Sequence, residues 1–512
     1  MKLGKFKHLL ASALLCLPLV FSGAQAVSAA DTTEPTSYDI QLHKLAFDEG
    51  KTPDPKIQNT GKEMNIPNSK PLNGVEFTVT DVTDAYTALE GSSEERQTEI
   101  QSDANNFAAK GTTVDTQVTK GEGTADFTLN TKNTDGKYAV YLIRETKSNT
   151  STDNDGRTVT KTADPIVLIM PLQTETGNNG KVNLYPKNET KDTLSKDLTD
   201  ADKAKSGVDN DGNAVNGNAV KGFGDTAEYQ VDVTIPSDVA SLNQYILTDT
   251  PDAGLDITKN SLKLTDADGK ELDSSFYGVA ATDATADNGA GFNLTFNNTA
   301  LADAGYAGKT LKLTYSAKIT KLLTPGETLN NDVTTPNTPT PITSKTPVTT
   351  GGAKFVKVDS TDGKKLAGAV FALAKIEGKK TLYAHKTDTG YDWTEDATDA
   401  VTATSDDNGA FEFTGLQYSE TERNNDRDFV SYAVVEVTAP DNYAKLSEPQ
   451  KFNVDKDSYS GDDNTIATVA DSPEGFLPST GGKGIYIVIA AGLLVMAGAF
   501  MVLKRGNRRE EV

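Results

Sequence analysis

Apolar residues recur at every second position in short runs along most of this chain, and that period fixes the class of fold open to it. Tyr38-Asp39-Ile40-Gln41-Leu42-His43-Lys44-Leu45 alternates in this way, as do residues 229–235 and 311–317. Such alternation turns one face of an extended strand to a core and the other to water. Residues 75–79, 139–143 and 166–170 are further strand-like runs, and Gly, Asn, Asp and Thr crowd the spaces between runs. Helical periodicity is nearly absent. Only residues 92–109 read as a helix, with Ser92 or Ser93 as its cap and Glu94 and Glu95 in the first turn. The expectation is an all-β chain of sandwiches with many turns. Its 512 residues suggest about three domains.

The two ends read as address labels. Lys2, Lys5 and Lys7 precede an apolar stretch over residues 9–21, followed by small residues at Ala24-Gln25-Ala26 and Val27-Ser28-Ala29. This is the pattern of a cleaved export signal, expected over residues 1–29. Cys16 lies inside it, so the mature chain has no cysteine and no disulfide. At the other end an apolar run covers residues 485–503, close to the ~20 residues that span a bilayer. Lys504, Arg505, Arg508 and Arg509 follow it and favour a cytoplasmic tail.

The net charge of −23 argues against nucleic acid and anionic membranes as partners and suits a soluble surface protein. Three histidines, one of them His8 in the signal, offer no metal cluster. The Asp-rich runs at Asp153 and Asp209 miss calcium-loop spacing and read as hairpin turns. A glycosidase would need paired carboxylates in a cleft, which the sequence cannot pair, and the single Trp393 gives sugars little to stack on. No cofactor or metal is expected.

Two parts of the chain share an order of features. The first has Lys44, then Leu72-Asn73-Gly74-Val75-Glu76-Phe77, then Tyr141-Leu142-Ile143-Arg144-Glu145. The later part has Lys357, then Leu366-Ala367-Gly368-Ala369-Val370-Phe371, then Tyr432-Ala433-Val434-Val435-Glu436. A different unit lies between them, and a Thr/Pro-rich stretch over residues 334–350 reads as a stiff, extended join.

Three motifs then carry a resemblance. Leu477-Pro478-Ser479-Thr480-Gly481, just before the apolar run, resembles the sorting signal of Gram-positive surface proteins. Leu184-Tyr185-Pro186-Lys187-Asn188 resembles the pilin motif, and residues 432–443 resemble the E-box of sortase-assembled pilins. Over essentially its whole length the chain resembles a major (backbone) pilin. The resemblance implies immunoglobulin-like β-sandwiches of the collagen-adhesin B-repeat type at both ends and an isopeptide-forming pilin domain in the middle. The expected boundaries are 30–188, 189–345 and 346–472, with the sorting signal and membrane helix in 473–512.

The resemblance also implies the chemistry. Thr480 would supply an acyl group to a sortase, and Lys187 of the next identical subunit would accept it, building a covalent head-to-tail pilus for adhesion and colonisation. The implied partners are pilin-specific and housekeeping sortases, minor pilins and peptidoglycan, with the host ligand unnamed. The protein itself would be no enzyme, and the nucleophilic cysteine belongs to the sortase. Pro186 fixes φ and keeps Tyr185 extended, which would present Lys187 on a stiff segment.

Pilins of this type also carry internal Lys–Asn or Lys–Asp isopeptide bonds, formed beside a buried acid that shuttles protons. By resemblance the sets are Lys357, Glu436 and Asp471; Lys196, Asp249 and Asn331; and Lys44, Glu145 and Asn188. Asp471 stands where the family usually has Asn, with Asn464 as the other partner in reach, and the Ala-Pro of the E-box is missing after Glu145. Asn330 adjoins Asn331, and strand register decides between them. The competing reading is a monomeric wall-anchored adhesin, which would share every export and sorting signal but make no use of Lys187.

Overall fold

The structure is a computed structural model, and it describes residues 34–53, 59–147, 157–172, 181–203, 219–336, 343–419, 431–455, 457–460 and 466–474. The export-signal stretch, the turns at Asp153 and Asp209, Asn464, the pentapeptide ending in Thr480-Gly481 and the apolar run 485–503 lie outside these residues. No helix among the described residues is long and apolar enough to cross a membrane. The chain forms two compact units, the first chiefly residues up to 351 and the second chiefly those from 352 onward.

The first unit holds two separate strand-built cores. The earlier one is made by strands whose inward residues are Tyr38, Ile40, Leu42, Phe77, Val79, Phe127, Leu129, Tyr141 and Ile143. The Ser37–His43 strand runs parallel to Lys181–Leu184, and Leu45–Asp48 runs parallel to Lys187–Asp192. The opening strands therefore lie directly beside the closing ones. Val140 and Leu142 point the other way, into a second apolar cluster with Val167, Tyr86, Ile100 and Phe107. This is why residues 140–143 form an unbroken apolar run: both faces of that strand are covered.

The cover is helical. Ser93–Ser102 starts with a capping box between Ser92 and Glu95, as the sequence suggests. The expected single helix over 92–109 is broken at Asp103, and Ala104–Lys110 continues it. Thr83–Ala88 and Asn298–Asp303 are additional helices of six residues, too short for helical periodicity to register in the sequence.

The later core of this unit is a sandwich. One sheet contains Leu194–Leu198, Thr226–Thr234 and Thr310–Ile319, and the other contains Gly291–Phe296, Ile246–Pro251 and Asn331–Thr334. Residues 334–350 do more than join domains. Thr343–Lys345 extends the second sheet along Asn331–Thr334, and Val348–Thr349 pairs with Ala219–Val220 and Thr328–Leu329. The β-branched threonines of this stretch favour strand pairing, and Pro347 falls in the gap between two of its strands.

In the second unit Gly351–Asp359 runs parallel to Ala467–Asp471, so first and last strands are again neighbours. Phe355, Phe371, Phe411, Phe413 and Phe452 meet in stacked and edge-to-face contacts at its centre. Val370–Glu377 is the hub of the other sheet, pairing with Lys380–Thr387 and Ser431–Thr438.

Candidate functional site

Three lysines that the strand pattern turns inward each end among acids or amides. Lys44 sits between the first two strands, fully buried. Its Nζ donates to Glu145 Oε2 at 2.8 Å and also to Asn188 Oδ1. Asn188 Nδ2 donates back to Glu145 Oε1 at 2.8 Å, closing a three-membered ring of contacts. Phe77 lies 5.4 Å below the ammonium. Burial pushes the Lys44 amine below the usual lysine range, while the Glu145 carboxylate pulls it back up.

In the middle core Lys196 crosses from one sheet toward the other. Its Nζ donates to Asp249 Oδ2 at 2.7 Å, and both side chains are fully buried. The rings of Tyr229 and Tyr315 flank the amine at 5.1 and 5.5 Å. Tyr315 donates its hydroxyl proton to the same Asp249 oxygen. Asp249 pairs with Val333, so Asn331, two residues away, shares its face, fully buried and with no hydrogen-bond partner for its amide. Asn330 points elsewhere and donates from its amide to Asp252 at 3.0 Å. Burial lowers the Lys196 amine to about 8 and raises the Asp249 carboxyl.

In the second unit Lys357 Nζ lies 3.1 Å from Glu436 Oε1 and in contact with Asp471 Oδ1, all three side chains being fully buried. Neither the Lys357 amine nor the Asp471 oxygens hydrogen-bond outside this cluster. The parallel register sets Lys357 opposite Val469 and Asp359 opposite Asp471, which brings the lysine and the aspartate to one face. Burial raises the Glu436 carboxyl, against the N–H of Leu446, which donates to Oε2 at 2.8 Å.

Lys187 has the opposite setting. It begins the strand on which Asn188 comes next, and alternation turns Asn188 inward and leaves Lys187 partly exposed. Its Nζ donates to the Tyr185 carbonyl at 3.0 Å. One buried pair has no counterpart in the sequence motifs: Lys221 Nζ donates to Asp202 Oδ1 at 2.6 Å. The 19 residues separating them carried no signal for that contact. Among the described residues no group of His, Cys, Asp and Glu is disposed to hold a metal.

The first and last clusters set a buried amine against a carbonyl carbon and an acid, and the middle one sets the amine against the acid with the Asn331 amide buried on the acid's face. Burial favours the neutral amine at Lys44 and Lys196 and the protonated acid at Asp249 and Glu436, the two forms an acyl transfer requires. Fixed contact between the reacting groups can lower the barrier by about 7–11 kcal/mol.

The sequence also matches known families. Residues 35–189 match the Gram-positive pilin subunit D1, N-terminal domain. Residues 472–511 match the LPXTG cell wall anchor motif. The chain belongs to the Gram-positive pilins. Residues 351–465 of this pilin match a prealbumin-like fold domain. Its anchor motif assigns it to the cell-wall surface of a Gram-positive bacterium. No curated protein matches the pilin in sequence. Solved structures similar to it include the RrgB pilus protein of Streptococcus pneumoniae, 18% identical over 88% of this chain and 100% of that one, with a TM-score of 0.49. The major pilin SpaD of Corynebacterium diphtheriae is 21% identical over 88% and 100%, with a TM-score of 0.43. BcpA, the major pilin subunit of Bacillus cereus, is 16% identical over 86% and 99%, with a TM-score of 0.42.

Proposed function

We propose that this pilin is the backbone subunit of a covalent surface pilus, coupled head to tail through Thr480 and Lys187 and tied internally by isopeptide bonds. What supports the reading above all is the strand at Lys187–Asp192, which offers one amine outward and one amide into a buried lysine–glutamate cluster. In the coupling, a sortase thiolate displaces Gly481 from the Thr480 carbonyl and holds the acyl group as a thioester. The neutral Lys187 amine attacks that carbonyl, the C–N bond forms, the C–S bond breaks, and the amine's proton passes to the departing thiolate. Cutting wall-released polymer with trypsin should yield a branched peptide joining the Thr480 carbonyl to Lys187 Nζ. A branch at another lysine, or only linear peptides, would overturn the assignment.

The internal bonds follow the same logic without a partner enzyme. Lys44 would attack the Asn188 amide and Lys196 the Asn331 amide, each releasing ammonia. Lys357 would condense with the Asp471 carboxyl and release water. Glu145, Asp249 and Glu436 would carry the protons between amine and leaving group.

The middle cluster gives this scheme a pH dependence. The reaction needs Lys196 and Asp249 to hold one proton between them, because that state alone supplies a neutral amine beside a protonated acid. The proton leaves as pH rises through about 8, where burial has brought the lysine. In acid a second proton arrives, earlier than for an ordinary aspartate because burial has raised Asp249. In freshly refolded protein, loss of ammonia from this site should slow roughly tenfold per pH unit above the lysine's pKa. A rate that keeps rising through pH 10 would rule out the one-proton scheme.

A further inference from the structure

We infer that His43 is a positioning residue for the acceptor Lys187, acting through Tyr185; this rests on the reading of Lys187 as acceptor. The strand that buries Leu42 and Lys44 turns His43 to its other face. There the imidazole stacks on the Tyr185 ring, with centroids 4.7 Å apart and planes 14° from parallel. His43 Nε2 is 2.9 Å from Asn183 Oδ1, and Asn183 is tied to the Gly61 carbonyl by its backbone N–H at 3.0 Å. The imidazole is thus fixed on one edge as well as on its face.

Tyr185 is held from every other side. Its hydroxyl accepts from Met64 N at 2.6 Å, and its own N–H donates to Asn59 Oδ1 at 3.1 Å. Its ring packs with Phe47 and Ile66 in a small apolar cluster separate from the main core. The carbonyl of Tyr185 is the group that receives Lys187 Nζ, and the next carbonyl, of Pro186, receives Leu45 N at 3.0 Å. The tyrosine ring is therefore the anchor and its carbonyl the rest for the acceptor amine. His43 supplies the flat surface against which that anchor lies.

An acceptor amine must meet a thioester carbon at bonding distance and angle, and displacement by about 1 Å can cost up to a hundredfold in rate. Loss of the stacked face should therefore lower kcat and leave KM for the ectodomain nearly unchanged, because the docking surface persists while the amine wanders.

The test is transfer of a fluorescent Leu-Pro-Ser-Thr-Gly peptide by the host's pilin sortase onto the purified ectodomain. His43→Ala and His43→Gln should lose roughly tenfold in kcat, and His43→Phe, which keeps a flat ring, should stay within about twofold of wild type. Melting midpoints are followed alongside. If His43→Ala does not fold, the comparison of Gln with Phe at matched midpoints decides. A wild-type kcat for His43→Gln, or an equal loss for His43→Phe, overturns the inference. Lys187→Ala run in parallel separates the two claims: full labelling of that variant refutes the acceptor reading itself.

Discussion

Lys187→Ala should abolish the polymer. On a denaturing gel of cell-wall extract, wild-type protein is expected as a ladder of high-mass species and the variant as a single band at subunit mass. The expected effect is all or none, because each junction needs one amine and the reading assigns that amine to Lys187. Lys187 follows a proline that fixes the backbone, and it rests on the carbonyl of Tyr185, whose ring stacks on His43, whose hydroxyl accepts from Met64 and whose own N–H donates to Asn59. The substitution removes a partly exposed side chain from the outer face of a strand, so the domain should fold as before. A wild-type ladder from the variant would mean that another amine makes the junction. A single band from the wild type would return the protein to the reading of a monomeric wall-anchored adhesin.

The second large effect is on stability. A bond from Lys196 to Asn331 would close a loop running from residue 196 to residue 331. By analogy with a disulfide, restricting the unfolded chain over such a length is worth about 5 kcal/mol. Asn331→Ala should therefore lower the melting midpoint of the ectodomain's middle transition by roughly 10–20 °C. Intact mass reports the chemistry independently. The wild-type ectodomain should be lighter than its sequence by two ammonia molecules and one water, and Asn331→Ala should retain one of those ammonias. Asn330→Ala should leave both readouts unchanged, because its amide is spent on Asp252. If the masses of the two variants were reversed, the register argument would be wrong; if neither changed, this bond would not exist.

The fold was legible where strands are half-buried. Tyr38, Ile40, Leu42 and Ala46 alternate inward, and Lys44 occupies an inward place in the same series. Lys196 stands likewise between Leu194 and Leu198, and Asn331 between Leu329 and Val333. A charged or amide residue at an inward parity has to find a partner in the core, so alternation by itself marks where a cluster must form. What alternation cannot give is the partner brought from a distant strand. The tyrosine pair around Lys196, the His43 stack and the Lys221–Asp202 pair depend on which side chains neighbouring strands, turns and a short helix bring together. The helices over 83–110 were only partly visible, because their apolar residues answer to one face of a strand that looks, in sequence, like any buried run.

The adjacency of Lys187 and Asn188 has a mechanical consequence. In a fibre coupled through Thr480 and Lys187, tension would enter each subunit at Lys187 and need not pass through residues 34–186 at all. From Lys187 the loaded backbone would run nine residues to Lys196, leap to Asn331, run 26 residues to Lys357, leap to Asp471 and leave after nine more at Thr480. Fully drawn out, those segments reach about 150 Å, against about 1,000 Å for the same span without the leaps. Such a fibre would be a chain of short inextensible links, and a Lys44–Asn188 tie, lying off that line, would guard the hitching point rather than bear the pull.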